Sequence, residues 1–192
     1  MYDRNPIDEL VLAAAARGEP DAVDSWFRAE HPVVWRLCVG LLAHAADADD
    51  AAQDAMLKLL DALAHRDPAR PYGPWRTTVV LNHCRDVLRR MGTRQRYEDA
   101  APPLPDCLPA PDEAASANEL RELLTAALAR LSPREREAFV LRDLQGLPTD
   151  EVAAAMDVAP ASVRSLITLA RRRLRSLLGS RLPAPSAESS HG

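Results

Sequence analysis

Apolar residues recur every three or four positions through most of the chain, in segments that prolines and glycines separate. This spacing places apolar side chains on one face of a helix, so it predicts helices rather than strands. Only 7 glycines among 192 residues and the long runs of alanine and leucine strengthen that prediction. We therefore predict an all-α fold of two small helical domains, a helical bundle and a helix-turn-helix domain, joined by a flexible linker.

Prolines, glycines and capping residues set the predicted helix boundaries. A loop is expected where Pro and Gly cluster at residues 65–74, and capping boxes are expected at Ser116 and Ser132. Pro32 is expected to begin a new helix, because proline is tolerated in the first turn of a helix. The predicted helices cover residues 8–17, 21–30, 33–45, 47–60, 75–91, 116–131 and 133–144, followed by a helix-turn-helix over residues 149–168.

The helix-turn-helix carries the clearest functional pattern. Asp157 lies in its turn, where it tolerates a left-handed backbone, and Pro160 fits the first position of the second helix. That helix is expected to expose polar and cationic residues: Ser162, Arg164, Ser165, Thr168, Arg171, Arg172, Arg173 and Arg175. No acidic residue lies between Asp157 and Glu188, so we expect these arginines to lack a local counter-charge. Such a helix suits the DNA major groove, although a helical hairpin with merely solvated arginines would show the same pattern.

A second cationic helix is predicted over residues 75–91. Its exposed side is expected to carry Arg76, Asn82, Arg85, Arg89 and Arg90. Tyr72 and Trp75 lie beside these cations. Aromatic rings next to arginines suit single-stranded DNA, because bases stack on the rings while the arginines hold phosphates. A core position explains Trp75 equally well.

The helix over residues 47–60 is expected to turn Met56 inward and to expose a face of acids and an amide. That face consists of Asp49, Asp50, Gln53 and Asp54. Ordinary solvation explains it as well as a binding role does. The charges alone therefore assign this face no partner.

The net charge of −4 conceals an uneven distribution. Basic residues concentrate at residues 76–96 and 164–181, and an acidic, proline-rich stretch separates the two blocks, which is typical of a binder with two sites. The sequence has no catalytic constellation, and Cys38, Cys84 and Cys107 lack metal-ligand spacing, so neither enzymatic activity nor a cofactor is expected. It shows no signal peptide and no apolar run of membrane-spanning length, so we expect a cytoplasmic protein without membrane insertion.

Several of these stretches resemble bacterial RNA polymerase sigma factors of the sigma-70 family, in the extracytoplasmic-function (ECF) group. The stretch LSPREREAFVLRDLQGL at residues 131–147, with the helix-turn-helix after it, is similar to the family's fourth conserved region. The stretch DADDAAQDAM at residues 47–56 and the segment from Trp75 to Arg90 are similar to the second conserved region. The resemblance implies region 2 at residues 1–96, an acidic linker at 97–115, region 4 at 116–181 and a disordered tail at 182–192.

The resemblance implies a sigma factor that binds core RNA polymerase at the β′ clamp and β flap, recognises promoter DNA and promotes strand opening for transcription initiation. The −35 element would be contacted by Ser162, Arg164, Ser165, Thr168, Arg171 and Arg172. The −10 element would be contacted by Tyr72, Trp75, Arg76, Asn82, Arg85, Arg89 and Arg90. The polymerase would be contacted by Asp49, Asp50, Gln53, Asp54 and Met56. Leu166 and Leu169 stand where relatives often have arginine, so the family's promoter preference is not carried over.

Two other functions stay open on the sequence alone. A stand-alone helix-turn-helix transcriptional regulator would bind duplex DNA without polymerase, and a helical scaffold would bind no DNA. Salt dependence distinguishes the scaffold from the DNA binders, because phosphate contacts release counterions. Members of the family are commonly held inactive by an anti-sigma factor, and the resemblance allows such a partner here without requiring it.

Overall fold

The computed structural model describes residues 7–95 and 117–178, so the expected linker, the tail and the capping residue Ser116 lie outside the described residues. The chain within these ranges is helical and has no strand, which confirms the prediction of an all-α fold. The helices are α1 (Glu9–Ala16), α2 (Pro20–Leu42), α3 (Ala45–Leu63), α4 (Tyr72–Gln95), α5 (Ala117–Ala129), α6 (Pro133–Phe139), α7 (Thr149–Met156) and α8 (Pro160–Leu178). A π-helical turn at Val140–Leu144 continues α6.

α2 is longer than the sequence suggested. The predicted break at Pro32 is wrong, since one helix runs through that residue. Trp26 and Leu37, on either side of the proline, both face the core and are each 1% exposed. Packing along this continuous face therefore outweighs the backbone hydrogen bond that a proline inside a helix removes. α2 ends where Ala43 adopts a left-handed backbone with φ of 54°.

Helices α1 to α4 form the first bundle, with α2 packed against α1, α3 and α4. Its interior is built mainly from leucine, valine, alanine and cysteine, and Trp26 is its fully buried aromatic side chain. Ala48, Ala52 and Ala55 are completely buried along α3. These small side chains let the neighbouring helices approach closely, which suits a chain with only 4% aromatic residues.

Helices α5 to α8 form the second unit. The capping box predicted at Ser132 is present: its hydroxyl accepts from the Glu135 N–H, and the Glu135 carboxylate accepts from the Ser132 N–H at 2.9 Å. The helix predicted over residues 133–144 is α-helical only to Phe139 and continues as a π-helical turn to Leu144. The Gln145 N–H donates to the Val140 carbonyl, five residues earlier. Gly146 follows with φ of 76°, a conformation that suits glycine.

The two helical units pack against each other. Their buried apolar residues form one continuous cluster. α2 contacts α5, α6 and the π-helical turn, and α4 contacts α7. Gly40 of α2 lies against Val140, and a Cβ atom added to this glycine would lie 3.0 Å from Val140 Cγ1. The second unit thus packs closely against α2 because this position has no side chain.

Candidate DNA and polymerase interfaces

α7 and α8 form the predicted helix-turn-helix. Asp157 adopts the expected left-handed backbone, with φ of 55°, and Pro160 is the first residue of α8. The two helix axes are bent by 99° relative to each other. α8 buries one apolar stripe, which consists of Val163, Ile167, Ala170 and Leu174. The stripe fixes the rotation of α8, so the opposite side of the helix is held toward solvent.

The solvent side of α8 presents the residues predicted to contact the −35 element. All of them are exposed: Ser162, Arg164, Ser165, Thr168, Arg171 and Arg172. The hydroxyl of Ser165 donates to the Ala161 carbonyl at 3.1 Å, and that of Thr168 donates to the Arg164 carbonyl at 2.9 Å. Each hydroxyl can still accept hydrogen bonds, because its proton points into the helix and its lone pairs do not.

The expectation that the arginines of α8 lack a counter-charge is wrong for two of them. Arg171 forms a bidentate ion pair with Asp143 at 2.7 and 2.8 Å, and Arg173 contacts Glu135 at 2.8 Å. Hydrogen bonds to Asp143 hold the pKa of Arg171 above its ordinary value. The acids come from α6 and the π-helical turn, which precede the helix-turn-helix in sequence. Arg164, by contrast, has no ion pair with any residue in the described ranges.

Two residues predicted to contact the −10 element lie in the core instead. Tyr72 is 9% exposed, and its hydroxyl accepts from Trp26 Nε1 at 2.9 Å. Burial, reinforced by the nearby Glu30 carboxylate, raises the pKa of Tyr72 well above its ordinary value. Arg76 is 8% exposed and donates to both carboxylate oxygens of Glu30 at 3.1 Å. The structure therefore contradicts a direct DNA contact by Tyr72 or Arg76, because neither side chain reaches the surface.

These two residues belong to a buried polar network between α2 and α4. The Arg76 guanidinium lies 5.9 Å from the centre of the Tyr72 ring, and that of Arg66 lies 5.7 Å from it. The partner carboxylate, Glu30, is 46 positions before Arg76 in sequence. Arginine is rarely buried unless it is paired, and the periodicity of α4 alone does not show that Glu30 is a partner. The sequence therefore predicted that Arg76 lies at the surface.

Other residues predicted for the −10 element remain at the surface of α4. Asn82, Arg89 and Arg90 are exposed, and Trp75 is half-buried. The Trp75 ring packs 5.6 Å from the Tyr72 ring at a tilt of 40°. Arg89 donates to Asp86 at 3.1 Å within α4. Trp75 precedes Arg89 by 14 residues on α4, about 21 Å along the helix axis, so a base stacked on the ring and phosphates held by Arg89 and Arg90 would belong to separate nucleotides of one strand.

Arg85 is the remaining residue of this set, and it is half-buried against the second unit. Its Nε and Nη2 atoms donate to the two carboxylate oxygens of Glu137, both at 2.8 Å. These hydrogen bonds raise the pKa of Arg85 above its ordinary value. Nη1 also donates to the Asn82 side-chain oxygen at 3.3 Å. Arg85 thus connects the exposed face of α4 with α6.

Four of the five α3 residues predicted to contact polymerase are exposed, and one is buried. Met56 is 1% exposed and packs in the core, so its predicted contact with polymerase is contradicted by the structure. Leu57, which the sequence analysis missed, is 63% exposed and lies one helical turn after Gln53. The other predicted residues are exposed: Asp49, Asp50, Gln53 and Asp54. Asp49 accepts a hydrogen bond from Trp35 Nε1 at 2.6 Å, which orients its carboxylate.

Cys38 and Cys84 are free, buried thiols whose Sγ atoms lie 3.8 Å apart, while Cys107 lies outside the described residues. The hydrogen bond between the two thiols, together with burial, raises the pKa of Cys84. No group of three or more His, Cys, Asp or Glu side chains in the described part of the chain could hold a metal ion. Among the described residues, no single helix is long and apolar enough to cross a membrane. Only α7 and α8 taken together have the necessary length and composition, and they are bent by 99°.

Comparison with known proteins assigns both helical units. Residues 26–94 match sigma-70 region 2, and residues 121–174 match sigma-70 region 4. The ECF RNA polymerase sigma factor SigM of Mycobacterium tuberculosis is 35% identical over 177 residues, which cover 90% of this chain and 85% of SigM. The RNA polymerase sigma factor CarQ of Myxococcus xanthus is 31% identical over 165 residues, which cover 84% of this chain and 92% of CarQ.

Solved sigma factors share the fold. RpoE of Bartonella quintana, in complex with the anti-sigma factor NepR, has a TM-score of 0.68 and 22% identity over 83% of this chain and 98% of that chain. CnrH, in complex with the cytosolic domain of CnrY, has a TM-score of 0.65 and 25% identity over 91% of this chain and 99% of that chain. The chain belongs to the sigma-70 family of RNA polymerase sigma factors, in its ECF group. Its function is thus in transcription initiation, and these relatives do not support the stand-alone regulator or the scaffold.

Proposed function

We propose that this sigma factor binds core RNA polymerase through the exposed face of α3, recognises the −35 element through α8 and the −10 element through α4, and promotes strand opening. The observation that carries the proposal is the outward side of α8. It presents hydroxyl and guanidinium groups from a helix whose rotation is fixed by its buried stripe. A helix held in this way by a helix-turn-helix can enter the major groove and place donors on base edges.

The side chains proposed to contact the −35 element differ in whether an acidic residue of this chain already pairs with them. Arg164 has no ion pair within the described ranges, so its planar guanidinium is available for bidentate contact with a guanine. Arg171 is oriented by Asp143, which neutralises part of its charge and favours a positioning contact to the DNA backbone. Leu169 is 41% exposed on the same side and offers an apolar contact, such as one to a thymine methyl group.

The −10 element is proposed to lie along α4. Asn82 supplies an amide that can both donate to and accept from an unpaired base, and the half-buried ring of Trp75 lies two turns earlier on the same helix. Arg89 and Arg90 supply positive charge for the phosphates of the opened strand. Tyr72 and Arg76 act indirectly in this proposal, because they hold α4 on α2 from inside the bundle.

The α3 face is proposed to bind the polymerase clamp. It combines exposed carboxylates and an amide with the apolar side chain of Leu57, so it suits a partner surface with basic and apolar groups. Region 4 is proposed to contact the β flap. RpoE of Bartonella quintana was solved with the anti-sigma factor NepR, and by this likeness an anti-sigma factor is proposed as a further partner of this chain.

Strand opening tests the −10 assignment. We expect Arg89→Ala/Arg90→Ala to lower the yield of permanganate-reactive, open promoter complexes formed with core polymerase. The loss of two phosphate contacts should also reduce the salt slope of promoter binding by about two. Arg28→Ala is the control, because Arg28 is an exposed arginine on α2 that forms an ion pair with Asp24 in the same helix. Open-complex yields equal to those of the unmodified protein would contradict the −10 assignment.

A further inference from the structure

Two arginines on the same side of α8 differ in whether an acid holds them. Arg164 and Arg171 are two helical turns apart, about 10 Å along the helix axis, so they project from the same side of α8. Arg164 has no ion pair within the described ranges, whereas Arg171 donates through Nε and Nη2 to the two carboxylate oxygens of Asp143. This side of α8 therefore presents one free guanidinium and one held guanidinium.

Asp143 is itself held in place by the element that carries it. It lies in the π-helical turn Val140–Leu144, in which Val140 and Leu141 are completely buried. The Asp143 side chain is 16% exposed and that of Arg171 is 53% exposed, so the carboxylate lies toward the protein and the guanidinium toward solvent. Two hydrogen bonds of 2.7 and 2.8 Å fix the plane of the guanidinium as well as its position.

The ion pair limits how Arg171 can meet DNA. A guanidinium has five N–H groups, and Asp143 occupies one at Nε and one at Nη2. The other three can contact a phosphate only where the duplex comes to them, because turning away from Asp143 breaks two charge-assisted hydrogen bonds. The carboxylate also offsets the charge of Arg171, which weakens its attraction to phosphates elsewhere. Arg171 is therefore fitted to one placement of the duplex on α8.

A second acid pairs with an arginine on the other side of the buried stripe. Arg173 directly precedes the buried Leu174 and donates through Nη1 to Glu135 at 2.8 Å. Glu135 is 6% exposed and also accepts from the Ser132 N–H, so it belongs to the cap of α6. Replacing Glu135 would disturb this cap together with the ion pair. Asp143 is thus the acid whose effect on α8 can be measured separately.

We propose that Asp143 is a specificity-determining residue for −35 recognition, which acts by holding Arg171 in one position and by limiting its attraction to DNA of any sequence. The inference rests on the proposed function, because it concerns the duplex that α8 binds. Arg164 reads a base pair, and Arg171 contacts the backbone only in the placement that suits Arg164. A released Arg171 would instead follow phosphates in many placements, and the preference for the correct −35 sequence would fall.

The test compares two duplexes bound by the holoenzyme, which is assembled from core RNA polymerase and the full-length chain. One duplex is a promoter that run-off transcription with this protein selects, and the other differs only in a scrambled −35 element. Asp143→Asn keeps the shape of the side chain and removes its charge. It should raise affinity for the scrambled duplex, with a salt slope steeper by about one, because the released Arg171 neutralises one more phosphate. Raising the salt from about 50 to about 200 mM should then cost the variant about threefold more of this affinity than it costs the unmodified chain.

Affinity for the promoter should rise less than affinity for the scrambled duplex, since Arg171 is no longer oriented before it binds. The preference for the promoter at the lower salt should therefore fall by about threefold or more. A purely structural role of Asp143 predicts a different result, in which binding to both duplexes weakens by the same factor. An unchanged preference without a steeper salt slope would overturn the proposal.

Three further variants separate the ion pair from other effects. Asp143→Glu keeps the charge and should keep the salt slope. Asp143→Asn/Arg171→Ala removes the whole pair, so its salt slope should equal that of the unmodified chain. Glu122→Gln makes the same change of net charge at an exposed position of α5, and its slope should also stay unchanged. A steeper slope in Glu122→Gln would assign the effect to net charge and overturn the role of Asp143.

Failure of this inference and failure of the proposed function give different results. A holoenzyme with the unmodified chain that does not prefer the promoter over the scrambled duplex would contradict −35 recognition by α8. A clear preference that Asp143→Asn does not lower would overturn only the role of Asp143.

Discussion

The buried ion pair between Glu30 and Arg76 allows a quantitative prediction about the first bundle. The side chains are 3% and 9% exposed, and Arg76 Nη1 lies 3.1 Å from each carboxylate oxygen. Glu30→Gln keeps the shape of the side chain but leaves the guanidinium charge without a counter-charge in a region that water does not reach. Removing one partner of a buried pair costs about 3–5 kcal/mol. Because glutamine still accepts a hydrogen bond, we expect a loss near the lower end, about 3 kcal/mol.

Urea denaturation followed by circular dichroism measures this loss. With a slope of about 2 kcal/mol per molar urea, a loss of ~3 kcal/mol moves the midpoint of the transition down by about 1.5 M. Glu30→Met/Arg76→Met should lose far less, because replacing both partners with apolar groups of similar size leaves no unpaired charge. Asp24→Asn on the same helix should cost less than ~0.5 kcal/mol, since its ion pair with Arg28 is exposed. A cost below about 1 kcal/mol for Glu30→Gln would refute the reasoning, because the guanidinium would then have access to water.

Two further predictions concern DNA recognition and pH. Arg164→Ala should weaken −35 binding of the polymerase holoenzyme by ~1–3 kcal/mol and relax specificity at one base pair. Binding assays on promoters with single base-pair substitutions measure both effects. A uniform loss of affinity across all promoters would indicate a phosphate contact instead. Burial, followed by the charge of Lys58, lowers the pKa of His83 below its ordinary 6.5, so the unfolded chain takes up the proton first as the pH falls. The free energy of unfolding should therefore decrease below about pH 6.5, and His83→Asn should reduce that decrease; equal pH slopes in urea titrations would contradict this.

Local features of the structure could be predicted from the sequence. The capping box at Ser132, the left-handed turn at Asp157 and the helix start at Pro160 each depend on residues within one or two helical turns. The prediction of a helix break at Pro32 was wrong because it used local residues alone. Packing along the whole length of α2 decides whether this helix continues. Rules for local conformation cannot include that contribution.

The side chains of the candidate sites were harder to predict, because their partners are distant in sequence. Arg76 pairs with Glu30 at 46 positions' separation, and Arg85 pairs with Glu137 at 52 positions' separation. Helical periodicity places an arginine on the outside of a helix, and only the arrangement of the helices shows that an acid meets it there. By contrast, the side of α8 that carries Arg164 was predicted correctly as exposed, since its rotation follows from the apolar stripe on α8 alone.

Transcription with purified components tests the central claim most directly. The measurement is run-off transcription with bacterial core polymerase and a library of promoter-like duplexes, with and without this protein. We predict discrete transcripts that require the protein and that share −35 and −10 sequences at a fixed spacing. The absence of any dependent transcript, together with failure of the protein to co-elute with core polymerase, would contradict the account.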